Sequence, residues 1–589
     1  MRAVAAWLLA GATGLVAAPA GGAWFAEATS RLGKPQPCGG SGCYSNYVLM
    51  ADLDGDGHLD LAFANGGGYY VPGKAEPLAI YRNDGKGHFT EMGATALGGF
   101  AGRLRQIAAG DVDGDGDLDL VALDSWAMQP DALFINQGSF VFKDEGASRL
   151  GTSSRSAGAR FGDVDGDGDL DLVATDWGSK PYTSKGTARV YRNDGKGFFV
   201  EAAGAVPQGT QAIGSGPIDL DLFDADGDFD LDLVLANRKG ESLLFRNDGN
   251  GQFADANADL PDQPGPYVYG PDACDVDGDG DLDLWLDNGG DKLAEQLLTN
   301  SGQGVFTDVS KAQISGNPNA DDNEVQCADL DDDGDFDAVI ASLSDQERTL
   351  LNDGKGFFAL AKDTFTAASD STLGLDLGDV DGDGRLDAVT AQGEGGDFTN
   401  RLYLGAAEQA QDTRAPVVRA AAALPSEITP GQLLVRFALA DRTTTDLGPR
   451  AKAWVAVKGP SDTKVEVPAR FVGGDLFRAA VDLNAPGVYA LAICATDTAG
   501  NVACGTARTV TVVGQQPAVD AAGTDAAGPD VAQSADGPAM AKPDAAPAAV
   551  AKPADSGCGT NPAGQGRAWT ACLGALAAAC RFGRRRAPS

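Results

Sequence analysis

The residues of this chain best suited to chemistry are aspartates that recur in a fixed nine-residue pattern. The pattern Asp-x-Asp-x-Asp-Gly-x-x-Asp begins at Asp52, Asp111, Asp163, Asp275, Asp329 and Asp379, and a degenerate copy lies near Asp224. Four carboxylates this close together repel one another unless a cation neutralises them. Calcium is a hard cation that takes about six to eight oxygen ligands, so a tightly curled loop of alternating aspartates suits it. The pattern therefore predicts one calcium site in each copy.

Within each copy, the side chains at positions one, three, five and nine are the predicted ligands, and position seven is predicted to offer its backbone carbonyl. His58 and Arg385 stand at position seven of two copies, which is tolerable only if that residue contributes backbone. The predicted ligand residues, position seven included, are Asp52, Asp54, Asp56, His58 and Asp60; Asp111, Asp113, Asp115, Asp117 and Asp119; Asp163, Asp165, Asp167, Asp169 and Asp171; Asp224, Asp226, Asp228, Asp230 and Asp232; Asp275, Asp277, Asp279, Asp281 and Asp283; Asp329, Asp331, Asp333, Asp335 and Asp337; and Asp379, Asp381, Asp383, Arg385 and Asp387.

The fourth copy is irregular and fits two registers. A start at Asp224 puts Phe229 where glycine belongs, whereas a start two residues earlier restores Gly227 but puts Leu222 in the first ligand position. Up to seven calcium ions are therefore expected, with the fourth site the weakest.

The copies follow one another at separations of 59, 52, 61, 51, 54 and 50 residues, so seven similar units must position them. Each copy precedes an apolar strand-like run and then a short strand, a turn and an aromatic residue, as in the segment YRNDGKGHF from Tyr81 to Phe89. The turn residues tolerate the positive φ that a tight hairpin needs. About four short strands per ~50 residues, without an amphipathic helix, are typical of a propeller blade. A sandwich with generic acidic loops would not repeat its own sequence seven times.

The two ends of the repeat array complement each other. The last copy stops after the strand Arg401 to Leu404 without its final aromatic strand, and the segment from Trp24 to Thr29 resembles that missing strand. We therefore predict that residues 24–30 complete the seventh blade and close the ring, which removes an open sheet edge.

The array over roughly residues 24–405 resembles the FG-GAP/VCBS repeats of integrin-α-type propellers. The resemblance implies calcium in inter-strand loops and a role in adhesion or extracellular recognition. The expected fold is all-β, with a seven-bladed β-propeller with calcium-binding loops over residues 21–410, followed by an immunoglobulin-like β-sandwich over residues 413–514.

Alternating apolar residues between Pro, Gly and Asp turns predict that sandwich. The stretch GVYALAICATDTAGNVAC, residues 487–504, resembles the end of bacterial immunoglobulin-like modules. Cys494 and Cys504 lie five residues on either side of Ala499, so they can face each other across a hairpin and form a disulfide; the alternative is two separate buried thiols.

Both ends of the chain suggest export. Arg2, an apolar run to about Val16 and the pattern Ala18-Pro19-Ala20 predict a signal peptide over residues 1–20. Export permits disulfides, and Cys38 and Cys43 are a close pair that suits one. Cys274 and Cys327 precede the loops of adjacent units and are expected to be core thiols rather than an inter-blade disulfide.

Beyond the sandwich, residues 515–557 are rich in Ala, Pro and Asp and predict a disordered stalk. The segment 558–589 has a cysteine, an apolar run from Ala568 to Cys580 and an arginine cluster, and it resembles MYXO-CTERM sorting tails. Its apolar run is shorter than the ~20 residues of a membrane span, so a processed sorting signal is expected; the alternative is a disordered cationic terminus. The predicted location is the cell surface (outer membrane) or the extracellular space, with membrane contact only through the processed tail.

The net charge of -39, from 84 acidic and 45 basic residues, disfavours nucleic acid as a partner. Only two histidines are present, and no Gly-x-Ser-x-Gly elbow is evident. We therefore expect a non-enzymatic binding or adhesion protein with an extracellular protein or glycan ligand. The alternative is a polysaccharide-acting enzyme or lectin-like module on the same propeller. Ligand contacts would then be sought in the insertions 65–77 and 177–187, at Trp126, Trp177, Tyr69 and Tyr70, although core packing is the commoner fate of such aromatics.

Overall fold

The computed structural model describes residues 23–514, except for residues 34–36, 39–41, 67–72, 127–130, 152–154, 178–185, 208–215, 264–266, 289–293, 344, 367–370, 395–397 and 444–451. Several predictions concern residues outside this part: the signal peptide 1–20, the stalk 515–557, the sorting segment 558–589, Tyr69 and Tyr70, and most of the insertion 177–187. Among the described residues, no helix is long and apolar enough to cross a membrane.

In the described part of the chain, the first 400 or so residues fold into seven consecutive β-sheets, which we call blades one to seven. Their strands are, in blade one, β2 (Ser45–Ala51), β3 (Asp60–Asn65), β5 (Ala79–Asn83) and β6 (Phe89–Glu91); in blade two, β8 (Leu104–Gly110), β9 (Asp119–Asp124), β10 (Ala132–Asn136) and β11 (Phe142–Asp144); in blade three, β12 (Ala159–Gly162), β13 (Asp171–Asp176), β14 (Thr187–Asn193) and β15 (Phe199–Glu201); in blade four, β16 (Pro217–Phe223), β17 (Asp232–Asn237), β18 (Leu243–Asn247) and β19 (Phe253–Asp255).

The remaining strands are, in blade five, β20 (Pro271–Cys274), β21 (Asp283–Leu286), β22 (Gln296–Asn300) and β23 (Phe306–Asp308); in blade six, β25 (Asp322–Ala328), β26 (Asp337–Ser342), β27 (Arg348–Leu351), β28 (Phe358–Ala361) and the short parallel strand β24 (Ile314–Ser315); in blade seven, β29 (Thr372–Gly378), β30 (Asp387–Gln392), β31 (Arg401–Gly405) and β1 (Phe25–Glu27). Short elements join them: the ribbon β4 (Glu76–Pro77) and β7 (Ala101–Gly102), the helical turns α1 (Gly93–Ala96), α2 (Gly146–Arg149) and α3 (Ser310–Gln313), and the 3-10 turns Thr29–Leu32 and Asn257–Asp259.

The first strands of the blades lie side by side in a ring. Each of them contacts the first strand of the next blade, and β29 of blade seven contacts β2 of blade one. The second strands are buried along all or nearly all of their length, as in β3, β9 and β30, because a neighbouring blade covers each face. The fourth strands are short, with one buried residue that faces inward followed by more exposed ones.

The N-terminal strand closes the ring, as the sequence predicts. β1 pairs antiparallel with β31, with Phe25 opposite Gly405 and Glu27 opposite Tyr403. Phe25 is fully buried and stacks on Phe365 of the preceding connection, with 4.4 Å between ring centroids. Blade seven therefore takes its outer strand from residues 25–27, and this strand covers the edge that β31 would otherwise leave open.

Cys274 and Cys327 form a disulfide, so the expectation of separate core thiols is wrong. Cys274 is the last residue of β20 and Cys327 the penultimate residue of β25, the first strands of blades five and six. The Cα atoms of the two cysteines are 6.5 Å apart. Both are also buried in the core between these blades, where Trp285 meets Phe358 edge to face. The disulfides Cys38–Cys43 and Cys494–Cys504, which the sequence favours, are present, and Cys494 lies directly opposite Cys504 in its hairpin.

Residues after the seventh blade form two sheets that pack around one core, and we call this part the C-terminal sandwich. The first sheet comprises β32 (Val417–Ala421), β34 (Gly431–Ala440), β38 (Leu476–Leu483) and β37 (Arg470–Gly473), and the second comprises β33 (Glu427–Ile428), β41 (Arg508–Val512), β39 (Gly487–Thr496), β35 (Lys452–Lys458) and β36 (Lys464–Pro468), with β40 (Val502–Cys504) on β39.

The C-terminal sandwich packs directly on the propeller. Val472 and Leu476 share a hydrophobic core with Val164 and Leu231 of blades three and four. Two backbone hydrogen bonds cross the contact, from Asp163 N–H to the carbonyl of Val472 (2.8 Å) and from Asp329 N–H to the carbonyl of Arg442 (2.9 Å). Because Asp163 and Asp329 begin two of the aspartate loops, the sandwich lies against the loops themselves.

Candidate metal centres

Each aspartate loop joins the first and second strands of a blade, and we give it the number of that blade. The aspartate at position one bends the loop by accepting hydrogen bonds from its backbone. In loop two, Asp111 Oδ1 accepts the N–H groups of Gly114 and Asp115 at 2.8 and 3.1 Å, and Oδ2 accepts that of Gly116 at 3.1 Å. Gly114 and Gly116 have φ of 75° and 96°, a left-handed conformation that glycine adopts without steric cost. The aspartate spacing therefore creates a compact loop through local hydrogen bonds alone.

The aspartate at position nine of every loop is buried at the start of the second strand of its blade. Asp119 Oδ2 accepts the N–H of Val112 at 3.0 Å, and its Oδ1 accepts the N–H of Asn136 at 2.8 Å. Equivalent pairs of hydrogen bonds hold Asp60, Asp171, Asp232, Asp283, Asp337 and Asp387. Burial raises the pKa of Asp119 to about 7 and that of Asp60 to about 8. These carboxylates need a nearby positive charge to ionise at neutral pH.

The aspartate at position three supplies the oxygen that a metal ion would use. In six loops its Oδ1 is buried without a hydrogen-bond partner, at Asp113, Asp165, Asp226, Asp277, Asp331 and Asp381. Carboxylate oxygens also converge within 4.8 Å of one another, as in the groups Asp163–Asp165–Asp171 and Asp224–Asp226–Asp232. A buried carboxylate oxygen without a donor is costly unless a cation satisfies it. The all-oxygen donor set fits a hard cation such as calcium.

The structure decides the register of loop four in favour of Asp224. Asp224 Oδ2 accepts the N–H of Phe229 at 3.0 Å, and Asp232 Oδ2 accepts that of Ala225 at 3.0 Å, as the equivalent residues do in other loops. Phe229 takes a φ of 66° at the position that glycine occupies elsewhere. A left-handed conformation costs a non-glycine residue roughly 1–2 kcal/mol. This strain is a physical reason for the weak fourth site that the sequence predicts.

The side chains at position seven differ between loops: Arg385 and His58 point to other groups or to solvent, whereas Asp335 Oδ1 of loop six is buried without a hydrogen-bond partner. Arg385 donates through Nη1 to Asp383 at 2.9 Å and through Nε to the carbonyl of Gln409 at 3.2 Å. His58 is exposed beside the hairpin turn at Gly85.

Arginines on the third strands of three blades face the aspartates at position three of the loops in the same blades. The side-chain nitrogens of Arg82, Arg192 and Arg246 lie 2.5, 3.3 and 3.5 Å from oxygens of Asp54, Asp165 and Asp226. Part of the acidic charge of the loops is therefore balanced by the protein itself.

One set of functional residues was missed by the sequence reasoning, which assigned the Asn-Asp-Gly turns only to hairpins. Asn193 Nδ2 donates to the carbonyl of Val112 in the preceding loop (2.7 Å) and to that of Leu170 in its own loop (3.0 Å). Its Oδ1 accepts the N–H of Gly197 at 3.0 Å. The same two-carbonyl bridge is made by Asn83, Asn136, Asn247, Asn300 and Asn352.

We call these six residues the inter-blade asparagines, since each ties one loop to the next. Asn83 closes the circle by bonding to the carbonyl of Val380 in blade seven. The signal in the sequence was Asn136, which stays an asparagine although Gln137, Ser139 and Phe140 of its turn depart from the motif.

Replacing an inter-blade asparagine should destabilise the propeller. Asn193→Ala leaves two carbonyls without their donor, and an unsatisfied buried acceptor costs about 1–3 kcal/mol, so we expect a loss of about 2–4 kcal/mol in the free energy of unfolding by urea titration. Asn250→Ala, at an exposed turn position of the next blade, is the matched control and should change it by less than about 0.5 kcal/mol. Equal losses in both variants would contradict the bridging role.

Blade seven has no such asparagine, because its third strand ends in Gly405, whose N–H donates to Asp387 Oδ1. Arg442 of the C-terminal sandwich takes over at this junction. Its Nε donates to the carbonyl of Asp329 and its Nη1 to that of Gly384, both at 3.0 Å. Its Nη2 lies 3.4 Å from the carbonyl of Leu330, the acceptor that an inter-blade asparagine would use. One buried arginine therefore joins loops six and seven.

Trp177 is packed in the core, which is the commoner of the two fates that the sequence suggests for it. It is 1% exposed, and its Nε1 donates to the carbonyl of Pro217 at 2.8 Å. Trp126 packs edge to face against it, with 6.3 Å between ring centroids. The core buries Trp177 because the aromatic ring fills the space between blades three and four.

Parts of this chain are similar in sequence to a known family of repeats and to a known protein. Residues 52–122, 123–174, 224–286 and 329–390 each match the FG-GAP-like repeat. Cartilage acidic protein 1 of Xenopus tropicalis is 26% identical over 391 residues, which cover 59% of this chain and 58% of that protein. The chain thus spans less than two thirds of the relative's length.

Proposed function

We propose that this chain, four segments of which match the FG-GAP-like repeat, is a non-enzymatic, calcium-stabilised binding or adhesion protein of the cell surface or extracellular space. The observation that carries the calcium part is the set of buried third-position carboxylate oxygens without a hydrogen-bond partner. In loops three and four they converge with the aspartates at positions one and nine, and in loop two with those at positions one and five. The chain's own residues hold the loop in shape, and a bound ion would supply the missing positive charge.

Export is supported by covalent chemistry. Three disulfides occur among the described residues, and they join both local pairs and adjacent blades. Structural disulfides persist in oxidising compartments and are rare in the cytosol. An extracellular protein or a glycan is the proposed class of ligand.

Calcium binding can be tested by substituting the predicted ligands of one loop at a time. Asp113→Asn together with Asp115→Asn should abolish one site, because it removes the unpartnered oxygen of loop two and a second carboxylate. Isothermal titration with calcium should then count one ion fewer than for the unmodified chain. Asp84→Asn together with Asp194→Asn removes the same charge from exposed hairpin turns and should leave the count unchanged. A count that falls in both variants would show that net charge alone binds calcium.

The binding role is tested by incubating the purified protein with a panel of glycans and extracellular proteins, with calcium or with a chelator. We expect retention of a ligand in calcium, loss of retention in chelator, and no released product. Reducing-end or unsaturated sugar products that disappear in a loop variant would instead favour the alternative of a polysaccharide-acting enzyme.

A further inference from the structure

Loop three differs from the other loops in what reaches its first aspartate. In the other six loops, Oδ2 of that residue accepts the N–H of the sixth residue at 2.8–3.1 Å. In loop three, the carboxylate of Asp163 keeps the backbone hydrogen bond from the sixth residue, Gly168. Its Oδ2 also lies 2.6 Å from Nη1 of Arg478, which comes from strand β38 of the C-terminal sandwich. The same Nη1 donates to the carbonyl of Gly166 at 2.9 Å. The sandwich therefore places a permanent positive charge on this loop.

Two further guanidinium groups approach the loop. Arg192 lies 3.3 Å from Asp165, and Arg470 of the sandwich lies 3.9 Å from Asp169. Of the three, Arg478 is the least exposed, and the Asp163 side chain that it meets is 2% exposed. At loop five, by contrast, Arg419 of the sandwich donates a hydrogen bond through Nη1 to the backbone carbonyl of Gly280. Its Nε donates to Asp475 within the sandwich.

Loop three nevertheless keeps the oxygens of a cation site. Asp163 Oδ1 and Asp165 Oδ1 are buried and have no hydrogen-bond partner. Oxygens of Asp163, Asp165 and Asp171 lie within 4.8 Å of one another. Asp163 is thus a carboxylate with one oxygen on the arginine and the other facing the oxygen cluster. Two positive charges that share one buried carboxylate repel each other at close range.

We propose that Arg478 is a built-in competitor of calcium at loop three, so that the guanidinium and the ion each weaken the binding of the other. The inference rests on the proposed calcium binding of the loops and deepens it by assigning one site to regulation by the C-terminal sandwich. Because coupling between two binding events is reciprocal, calcium at loop three loosens the contact of Arg478 with Asp163.

The other contacts between the C-terminal sandwich and loop three limit the effect of calcium to the surroundings of Arg478. Val472 accepts the N–H of Asp163, and Val472 and Leu476 share a core with Val164. These apolar and backbone contacts keep the sandwich in place when the arginine moves. The response to calcium is therefore a loosening along β37, β38 and loop three, with the sandwich still docked.

The test is Arg478→Gln in the full chain, titrated with calcium by isothermal titration calorimetry. One site should bind roughly tenfold more tightly than in the unmodified chain, within the range usual for coupled sites, and the others should not change. Adding Asp165→Asn should remove the gain. Arg508→Gln is the matched control, since that guanidinium meets carbonyls of Ala421 and Ala422 within the sandwich, and it should leave all affinities unchanged.

Arg478→Lys keeps the charge and should bind calcium as the unmodified chain does, which separates electrostatic competition from a loss of fold. Hydrogen exchange gives an independent readout: in the unmodified chain, saturating calcium should speed exchange at the amides of β38 around Arg478, and in Arg478→Gln it should not. The Asp163 amide, which stays bonded to Val472, should not respond in either protein.

The outcomes are distinguishable. If neither protein binds calcium, the proposed calcium function fails. If both bind with identical affinities, or if Arg478→Gln loses a site, calcium binding stands and the competition is rejected.

Discussion

Removing calcium at pH 8.5 is expected to lower the melting temperature of this protein by about 10 °C or more. A ligand present at one hundred times its dissociation constant stabilises the folded state by about 2.7 kcal/mol per site, so several filled loops together exceed about 10 kcal/mol. The measurement is thermal unfolding followed by circular dichroism in millimolar calcium and again in excess chelator. Magnesium serves as the control cation, since its preference for a small octahedral site should leave most of the stability unrestored.

The stabilisation by calcium should depend on pH, and the buried aspartates at position nine determine the direction of that dependence. In the metal-free protein, burial raises the pKa of Asp232 to about 8 and that of Asp283 to about 7, whereas an unfolded aspartate titrates near 3.9. A raised folded pKa means that the folded state binds more protons than the unfolded state between about pH 4 and 8. That contribution to stability is complete below the unfolded pKa and is lost as the pH rises through 7 to 8.

The metal-free protein should therefore be more stable at pH 5.5 than at pH 8.5, as measured by urea titration in chelator. Calcium needs ionised carboxylates, so the stability that it adds should be larger at pH 8.5. A melting curve that chelator leaves unchanged at both pH values would show that the loops are held by protein contacts alone.

Arg442→Ala is expected to cost about 3–5 kcal/mol in the free energy of unfolding. The substitution removes the donor from the carbonyls of Asp329 and Gly384 and from the more distant carbonyl of Leu330. Each buried acceptor left unpaired costs about 1–3 kcal/mol. The arginine is 6% exposed, so water cannot replace it without rearrangement. Urea titration in calcium measures the loss.

Two comparisons show whether Arg442 acts by joining loops six and seven. Arg436→Ala removes another sandwich arginine that meets one loop carboxylate, Asp230, from a side chain that is 42% exposed, and it should cost less than about 1 kcal/mol. Arg442→Lys keeps the charge but cannot reach both loops with one ammonium, so its stability should lie between those of the unmodified chain and Arg442→Ala. Arg442→Ala that unfolds at the same urea concentration as Arg436→Ala would contradict the role.

The sequence by itself determined the loops, the blades and the closing strand. The donors and acceptors that shape each loop lie within nine residues, so Asp111 and the N–H groups of Gly114 and Gly116 find one another locally. Repetition then multiplied this local signal, and the strand missing after Leu404 matched the segment at Trp24. In both cases the information was contained in short patterns and their spacing.

Only the tertiary structure decided which loop meets which neighbour. The disulfide between Cys274 and Cys327, the bond from Asn193 to the loop before it and the contacts of Arg442 and Arg478 join residues 53 to 315 positions apart. A single cysteine or arginine has no periodicity that reveals its partner, and the asparagines recur in six blades without indicating which carbonyl each one meets, because the partners are set by how blades and sandwich pack. The physical reason is that hydrophobic burial fixes those placements, and the polar side chains then bond to whatever carbonyl or carboxylate the packing brings within reach.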